Sequence, residues 1–205
     1  MKPTSPQNHE QSILRLAQAG GFLRANDLLK KNIPTNTLTR MVVAGKLERV
    51  SRGVYCLPNQ AISEHRSLAE AAIRVPQGVI CLLSALQFHQ IGTQAPFEIW
   101  LALPNELATP KLDHPAIRAV RMSDVALSAG KEIVNIDGVP VPIFNAAKTI
   151  ADCFKYRNKI GLDVALEALR EGWREQKVSI DLLWHYATIN RLSNVMRPYL
   201  EAITA

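Results

Sequence analysis

Few residues of this sequence that could do chemistry are spaced to do it. Ser84 and His89 could supply a nucleophile and a base, but five residues apart on one helix they do not share a face. The carboxylates of Glu98, Asp124 and Glu132 could hold a metal ion for a nuclease, yet their spacing is generic. The sequence has no glycine-rich phosphate loop, zinc-binding helix or nucleophile-elbow motif. We therefore expect no catalytic residue, no metal site and no cofactor.

The cysteines and the apolar content indicate a cytoplasmic globular protein. Cys56, Cys81 and Cys153 are odd in number and far apart, which is typical of free thiols in a reducing compartment. Hydrophobic residues make up 47% of the chain, but no apolar run is long enough to span a membrane. The N-terminal MKPTSPQNHEQ is polar, so we expect no secretory signal.

The basic residues are concentrated at one end of the chain. The net charge is +6, and residues 1–60 contain nine Lys or Arg against three Asp or Glu. Residues 61–205 contain fifteen of each kind and are neutral, so the whole excess lies in the first sixty residues. Such asymmetry favours an anionic partner for that segment, the alternative being a solvated basic surface without a partner.

The same segment carries the pattern of three helices followed by a hairpin. HEQSILRLAQAGG and ANDLLKK predict the first two helices, the second with Leu28 and Leu29 facing inward. The third helix follows Pro34, runs from about Thr35 to Ala44 and is capped by Gly45. LERV and VYCL then alternate around a basic turn, which predicts a hairpin. This order predicts a winged helix-turn-helix domain over residues 1–58.

The third helix has one face suited to DNA. Its buried stripe is Leu38, Met41 and Val42, and its opposite face carries Asn36, Thr39, Arg40 and Val43. Arg can read guanine and Asn can read adenine in the major groove, while the helix start and a basic hairpin tip can hold phosphates. The predicted DNA-binding residues are Thr35, Asn36, Thr37, Thr39, Arg40, Lys46, Arg49, Ser51 and Arg52. A helical subdomain used for protein contacts is the alternative.

Residues 61–205 predict an α+β domain with a small, mainly antiparallel sheet and a helical C-terminal part. FEIWLALP and AIRAVRM predict strands, and EIVNIDGVPVPIF predicts a hairpin that turns at Asp137-Gly138. GVICLLSALQFHQIG predicts a buried helix, and helices dominate from Asn145 onward, the last one broken by Pro198. Asp152, Lys155 and Lys159 lie on neighbouring helical turns, a spacing typical of a solvated ion-pair face.

Several of these segments resemble the AbiEi-type antitoxins of abortive-infection, type IV toxin–antitoxin systems. The resemblance is carried by GVICLLSALQFHQIG, by the IW of FEIWLALP and above all by NAAKTIADCFKYRNKIGLDVALEALRE. The N-terminal LTRMVVAGKLERVSRGVYCL is similar to the winged-helix segment of the same group, so the resemblance covers nearly the whole chain.

The resemblance implies a cytoplasmic bacterial protein with a winged helix followed by an antitoxin domain over residues 61–205. It implies repression of its own operon through inverted repeats in double-stranded operator DNA. It also implies a partner nucleotidyltransferase toxin, which is opposed without a stable complex. The candidate residues of the antitoxin domain are Lys148, Asp152, Lys155, Arg157 and Lys159.

Two alternatives remain open at the level of sequence. The chain could be a stand-alone transcriptional regulator without a toxin partner, or a nucleic-acid-processing enzyme that uses the winged helix for docking. A divalent-metal requirement for activity on DNA would favour the enzyme, and a neighbouring nucleotidyltransferase gene would favour the antitoxin.

Overall fold

The structure, a computed structural model, describes residues 6–51, 53–58, 63–110, 112 and 114–204. It is a mixed α+β fold that divides into two compact units. The first unit consists of residues 1–74 with 135–140, and the second of residues 75–134 with 141–205. The sequence-based division at residues 58–61 would assign residues 63–74 and 135–140 to the C-terminal domain instead. None of the described helices is long and apolar enough to cross a membrane.

The described residues of the first unit form four helices and three short strands. The helices are α1 (Pro6–Gly20), α2 (Ala25–Lys30), α3 (Thr35–Val43) and α4 (Arg66–Arg74), and the strands are β1 (Phe22–Arg24), β2 (Glu48–Ser51) and β3 (Val54–Cys56). The strands pair antiparallel in the order β1-β3-β2. The predicted succession of three helices and a hairpin is confirmed. β1 was not predicted, because three residues are too few to display an alternating pattern.

A small apolar core holds the three N-terminal helices together. Ile13 of α1, Leu28 of α2, and Leu38 and Met41 of α3 are all buried in it. The prediction that Leu29 also faces inward is wrong, since 52% of it is exposed. Successive helical residues lie about 100° apart, so a helix as short as α2 turns only one of two adjacent leucines toward the core.

The start and the end of α3 follow the local signals of the sequence. Pro34 lies just before the helix with a φ of −66°, a value that its ring imposes. Gly45 follows the helix at a φ of +67°, and its N–H donates to the carbonyl of Val42. Since a left-handed residue after the last turn is a common helix end, the predicted glycine cap is confirmed. The chain then turns directly into β2.

Downstream of α4 the chain forms five strands and seven helices among the described residues. The strands are β4 (Val79–Ile80), β5 (Ile99–Pro104), β6 (Ile117–Met122), β7 (Lys131–Ile136) and β8 (Val139–Phe144). The helices are α5 (Leu82–Phe88), α6 (Asp124–Ser128), α7 (Ala146–Lys155), α8 (Arg157–Ile160), α9 (Leu162–Arg174), α10 (Ile180–Ile189) and α11 (Ser193–Thr204).

These five strands form one sheet in the order β6-β5-β4-β8-β7. β4 pairs antiparallel with β5 but parallel with β8, and β5 pairs parallel with β6. The sheet is therefore mixed, and the prediction of a mainly antiparallel sheet is wrong. An alternating pattern identifies a strand but not the direction of its neighbour. Residues 105–116 give the chain the dozen positions that a return connection between parallel strands needs.

Two further predictions for this part of the chain are wrong. The apolar segment predicted as one helix begins instead with the strand Val79–Ile80, which is too short to be separated from the helix by periodicity. Pro198 does not break the last helix, because α11 continues through it to Thr204. Pro198 is the sixth residue of α11, so it removes one i→i−4 backbone hydrogen bond, and the helix continues with the others.

The hairpin of β7 and β8 turns where the sequence predicts. Asp137 and Gly138 have φ values of +50° and +78°, the left-handed pair that a tight hairpin turn requires. The tip, Asn135–Pro140, belongs to the first unit. The carbonyl of Asp137 accepts a hydrogen bond from the N–H of Phe22 at 3.1 Å, and its carboxylate accepts one from the Ser63 hydroxyl at 2.9 Å.

The core of the second unit surrounds α7, which packs against α5, α9 and α10. Ile150, Cys153 and Phe154 are fully buried there. Gly130 lies close to the same helix at a φ of +67°, and a Cβ atom on it would lie 2.7 Å from the Cβ atom of Lys148. The approach of this loop to α7 therefore requires a glycine.

We expect Gly130→Ala to destabilise the protein more than Gly92→Ala does. Both glycines have a left-handed φ, but a Cβ atom on Gly92 would meet nothing closer than 3.5 Å. The steric overlap with Lys148 should make the loss of unfolding free energy larger at Gly130 by about 1–3 kcal/mol. Urea denaturation of the two full-length variants, followed by circular dichroism, measures this difference. Equal losses would show that the loop moves away from α7 without difficulty.

Candidate nucleic-acid interface

The outward face of α3 is polar at its start and apolar at its end. Burial of Leu38 and Met41 turns the opposite side of the helix to solvent. The exposed residues on that side are Thr35, Asn36, Thr39, Arg40 and Val43. Asn36, Arg40 and Val43 are four and then three positions apart, so they follow one another along a single stripe. The predicted exposure of this face is confirmed.

Thr37 does not belong to this face. Only 2% of it is exposed, so its side chain is not available to a DNA molecule. It directly precedes the buried Leu38, and the inner surface of α3 is wide enough to include both positions. The inclusion of Thr37 among the DNA-contacting residues is therefore wrong.

Val43 was not among the predicted contact residues, although it lies on the same face. It is 85% exposed, and it is the last residue of α3. A large apolar side chain so exposed at the end of a polar stripe is a candidate for an apolar contact. Its helical spacing predicts that it lies on this face, but only the polar residues of the face were predicted to contact DNA.

Lys46 is already engaged by a carboxylate. Its Nζ atom lies 2.8 Å from Oε2 of Glu10 on α1. The hydrogen bond from Lys46, its charge and the weaker effect of the Arg40 charge together lower the pKa of Glu10. The Glu10 carboxylate therefore lies beside Lys46 as an internal anion, and a phosphate that binds Lys46 must compete with it.

The hairpin supplies one described cation. Arg49 is exposed on β2, and the pairing of β2 with β3 is irregular between Arg49 and Ser51. Such an irregularity increases the local twist of a strand. The side chain of Ser51 and the whole of Arg52 lie outside the part of the chain that the structure describes.

The candidates in the second unit do not form one surface. Lys148 and Asp152 are completely buried, and Nζ of Lys148 lies 2.5 Å from both carboxylate oxygens of Asp152. Oδ1 of Asp152 also accepts a hydrogen bond from Nδ2 of Asn190 at 2.7 Å. The prediction that Asp152 lies on a solvated face is therefore wrong. The same i,i+4 spacing serves a surface pair or a core pair, and here neighbouring helices cover α7.

Burial shapes the ionisation of this network. Loss of solvation lowers the pKa of Lys148 and raises the pKa of Asp152, while the charge of each partner opposes the shift of the other. Burial also raises the pKa of the Cys81 and Cys153 thiols. Since the thiolate is the reactive form of cysteine, these two side chains are not suited to nucleophilic chemistry.

The remaining candidates lie at the end of α7 and on α8. Lys155 and Lys159 are exposed, whereas Arg157 is half-buried and donates to the carbonyl of Phe154 at 2.8 Å. Sequence reasoning missed Asn190, because no local pattern links it to Asp152, 38 positions earlier. No group of three or more His, Cys, Asp or Glu among the described residues is placed to hold a metal ion.

The comparison that bears on identity concerns the first unit. Residues 11–58 match the family described as transcriptional regulators, AbiEi antitoxin. The resemblance to AbiEi antitoxins is thereby confirmed for this segment, which extends from within α1 to just beyond β3. We refer to residues 11–58 as the AbiEi-matched segment. It contains every predicted DNA-binding residue and none of the candidates at α7 and α8.

A solved structure is similar in fold to most of this chain. The crystal structure of the RV2827C protein from Mycobacterium tuberculosis has a TM-score of 0.58, covering 95% of this chain and 80% of that chain. The sequence identity is 14%, so this likeness concerns the fold alone. No curated protein is a significant match to the sequence.

We expect the buried pair to behave as a unit in stability measurements. Lys148→Met leaves the Asp152 carboxylate buried with Asn190 as its remaining partner, and should lower the unfolding free energy by about 3–5 kcal/mol. Adding Asp152→Asn removes the second charge, so the double variant should be more stable than Lys148→Met alone. Urea denaturation of the full-length variants tests the order.

The exposed Lys155 on the same helix is the matched control. Lys155→Met should change the unfolding free energy by less than about 0.5 kcal/mol. The coupling is tested by comparing the double variant Lys148→Met with Asp152→Asn against the two single variants. If the double variant lost as much unfolding free energy as the two single variants together, Lys148 and Asp152 would not be coupled.

Proposed function

We propose that the protein is a transcriptional autorepressor and antitoxin that binds operator DNA through the AbiEi-matched segment. The main support for this proposal is that three properties coincide in this segment. The segment matches the AbiEi regulators, it holds eight Lys or Arg against two Asp or Glu, and its helix α3 exposes a polar face. A basic surface beside an exposed helix is the electrostatic footprint of a DNA-binding module.

In this proposal the segment is a winged helix-turn-helix in which α3 is the recognition helix. The hairpin of β2 and β3 is the wing. The order of the elements supports the assignment, since the helix before the hairpin is the one that enters the major groove. Arg40 and Asn36 lie one helical turn apart, so they can reach neighbouring base pairs, Arg at guanine and Asn at adenine.

Phosphate contacts come from the periphery of α3. Arg49 on the wing and Thr35 at the start of α3 are exposed and can each contact a phosphate. Arg52 is the further wing cation that the sequence predicts for this role. Lys46 joins them once a phosphate displaces Glu10. Contacts of this kind set orientation and affinity but carry no sequence information. Inverted repeats in the operator would place two copies of the protein on one site, as is usual for this type of module.

Val43 gives the recognition face an apolar end. The major groove presents the C5-methyl group of thymine, and apolar side chains read it by contact. With 85% of Val43 exposed in the free protein, a thymine methyl would remove apolar surface of both groups from water. The stripe of Asn36, Arg40 and Val43 thus offers adenine, guanine and thymine contacts in succession.

The antitoxin role is proposed for the C-terminal part of the chain. It is supported by the resemblance carried by NAAKTIADCFKYRNKIGLDVALEALRE. The family description that matches residues 11–58 names an antitoxin, which supports this role for the chain but does not extend to its C-terminal part. The partner is a nucleotidyltransferase toxin whose effect is opposed without a stable complex. Of the candidates, Lys155, Arg157 and Lys159 remain available for contacts, whereas Lys148 and Asp152 act within the core. Growth of cells that express the toxin with the full-length chain tests this role.

We expect Arg40 and Arg52 to contribute differently to DNA binding. Arg40→Ala should lose about 1–3 kcal/mol at one base position and relax the preference there. Arg52→Ala should weaken all sequences alike and reduce the slope of log affinity against log salt by about one. Fluorescence anisotropy with DNA from upstream of the gene, and with scrambled DNA, measures both effects. The double variant should lose repression and still rescue growth.

Two variants serve as controls for this experiment. Glu10→Gln removes the carboxylate that pairs with Lys46, so it should tighten binding to every sequence. Arg197→Ala removes an exposed cation of α11 and should leave affinity unchanged. Equal, sequence-independent losses for Arg40→Ala, Arg52→Ala and Arg197→Ala would leave only a generic attraction between a basic protein and DNA.

We expect Val43 to read one thymine of each half-site. Replacing that thymine by uracil removes only the methyl group, and should weaken binding of the unaltered chain by about 0.8 kcal/mol, or roughly fourfold. Val43→Ala should be insensitive to the same replacement, whereas Arg40→Ala should retain the sensitivity. The measurement is a uracil scan of the operator with the three proteins. A scan in which all three respond alike would remove Val43 from the interface.

A further inference from the structure

A cavity of about 510 Å³ opens in the second unit where the ends of three helices meet. Ser123 and Val125 line it at the start of α6, Lys155 lines it at the end of α7, and residues 189–191 line it at the end of α10. The cavity lies outside the AbiEi-matched segment, and none of its residues has a role in the proposed DNA interface.

The described lining of the cavity is positively charged. Lys155 and Arg191 are both exposed, and neither side chain forms a hydrogen bond or ion pair with a described residue. No Asp or Glu is among the residues that line the cavity. The C-terminal ends of α7 and α10 each contribute about half a negative charge from the helix dipole. The two positive charges of Lys155 and Arg191 exceed this sum, so the cavity remains positively charged. An anion is the ligand that this charge favours.

The rest of the lining suits an organic body with hydroxyl groups. Val125 is 68% exposed and Ile189 is half-buried, so both can cover carbon atoms of a ligand. Asn190 is buried, and its Nδ2 atom donates to Asp152. That bond to a carboxylate fixes the orientation of the amide, and Oδ1 of Asn190 is buried without a partner among the described residues. A buried acceptor of this kind is stabilised by a donor, such as a hydroxyl group.

Arg191 follows the end of α10 in a left-handed backbone conformation. Its φ is +58°, its N–H donates to the carbonyl of Thr188, and the N–H of Leu192 donates to the carbonyl of Ala187. These two bonds form a common helix end, in which the residue after the last turn is left-handed. This cap turns the chain at the end of α10, where the Arg191 side chain lines the same cavity as Lys155.

We propose that this cavity binds a small, hydroxylated organic phosphate, such as a nucleoside monophosphate or a sugar phosphate. Lys155 and Arg191 pair with the phosphate oxygens, and the Ser123 hydroxyl donates a further hydrogen bond. Three phosphate oxygens give these donors separate acceptors, which a single carboxylate does not. The carbon body lies against Val125 and Ile189, and a ligand hydroxyl donates to Asn190. The cavity volume is in the range of small-molecule sites.

The test is isothermal titration calorimetry of the full-length protein with defined probes. These are the four ribonucleoside monophosphates and ribose 5-phosphate, with inorganic phosphate and citrate as comparison anions. At least one organic phosphate should bind more tightly than inorganic phosphate and citrate. Lys155→Gln and Arg191→Gln should each weaken that binding by about tenfold or more. Val125→Asp should abolish it, and Val125→Lys should retain or strengthen it.

Cations outside the cavity provide the controls. Lys159→Gln and Arg197→Gln are substitutions at exposed positions and should change the affinity by less than about twofold. All variants replace exposed side chains, and circular dichroism checks that their folds and melting temperatures are unchanged. The proposal is overturned if no organic phosphate binds at concentrations up to about 10 mM, because a dissociation constant above this value corresponds to very weak binding. It is also overturned if citrate binds as tightly, or if the control variants lose as much affinity as Lys155→Gln.

Discussion

The proposed DNA interface depends on the burial of the inner face of α3. Leu38 and Met41 are 0% and 1% exposed, in a core shared with Ile13 and Leu28. Since successive residues lie about 100° apart, burying those two side chains determines that Asn36, Arg40 and Val43 point outward. Burial of each of these side chains contributes about 1.5–3 kcal/mol to the stability of the fold. A rotation of α3 that exposed both would therefore lose more free energy than one base contact, at about 1–3 kcal/mol, could supply. The orientation of the face is therefore set before any DNA is bound.

The elements of the first unit could be predicted because their signals are local. Helical spacing, a glycine after α3 and the Asp137-Gly138 turn each act over a few residues. Asn36 and Arg40 of the candidate interface followed from the same spacing. The ion pair of Lys148 and Asp152 could not be placed in this way, since its burial is a property of the surrounding helices. The parallel pairing of β4 with β8 likewise joins Ile80 to Ile143, and nothing in either segment specifies it.

The buried ion pair of Lys148 and Asp152 also affects how α7 and α10 pack against each other in the second unit. Lys148 lies over the ring of Phe144 at 4.5 Å, and Asp152 binds Asn190 beyond the end of α10. A charge pair inside a core adds little net stability, because the loss of hydration offsets the attraction. It does penalise every arrangement in which one partner is left alone. This penalty favours the register of α7 against α10 in which Lys148, Asp152 and Asn190 meet, and the surrounding apolar side chains supply the stability.

The tip of the second hairpin has a consequence for synthesis of the chain. The first unit includes residues 135–140, so its amino acids are not contiguous in the gene. Residue 140 follows residue 74 by several seconds at ordinary rates of translation. A nascent chain that stops between them has α1 to α4 but lacks the Asp137 carbonyl that accepts the N–H of Phe22. Aborted translation products therefore carry an incomplete first unit, in which the N–H of Phe22 lacks this hydrogen-bond partner.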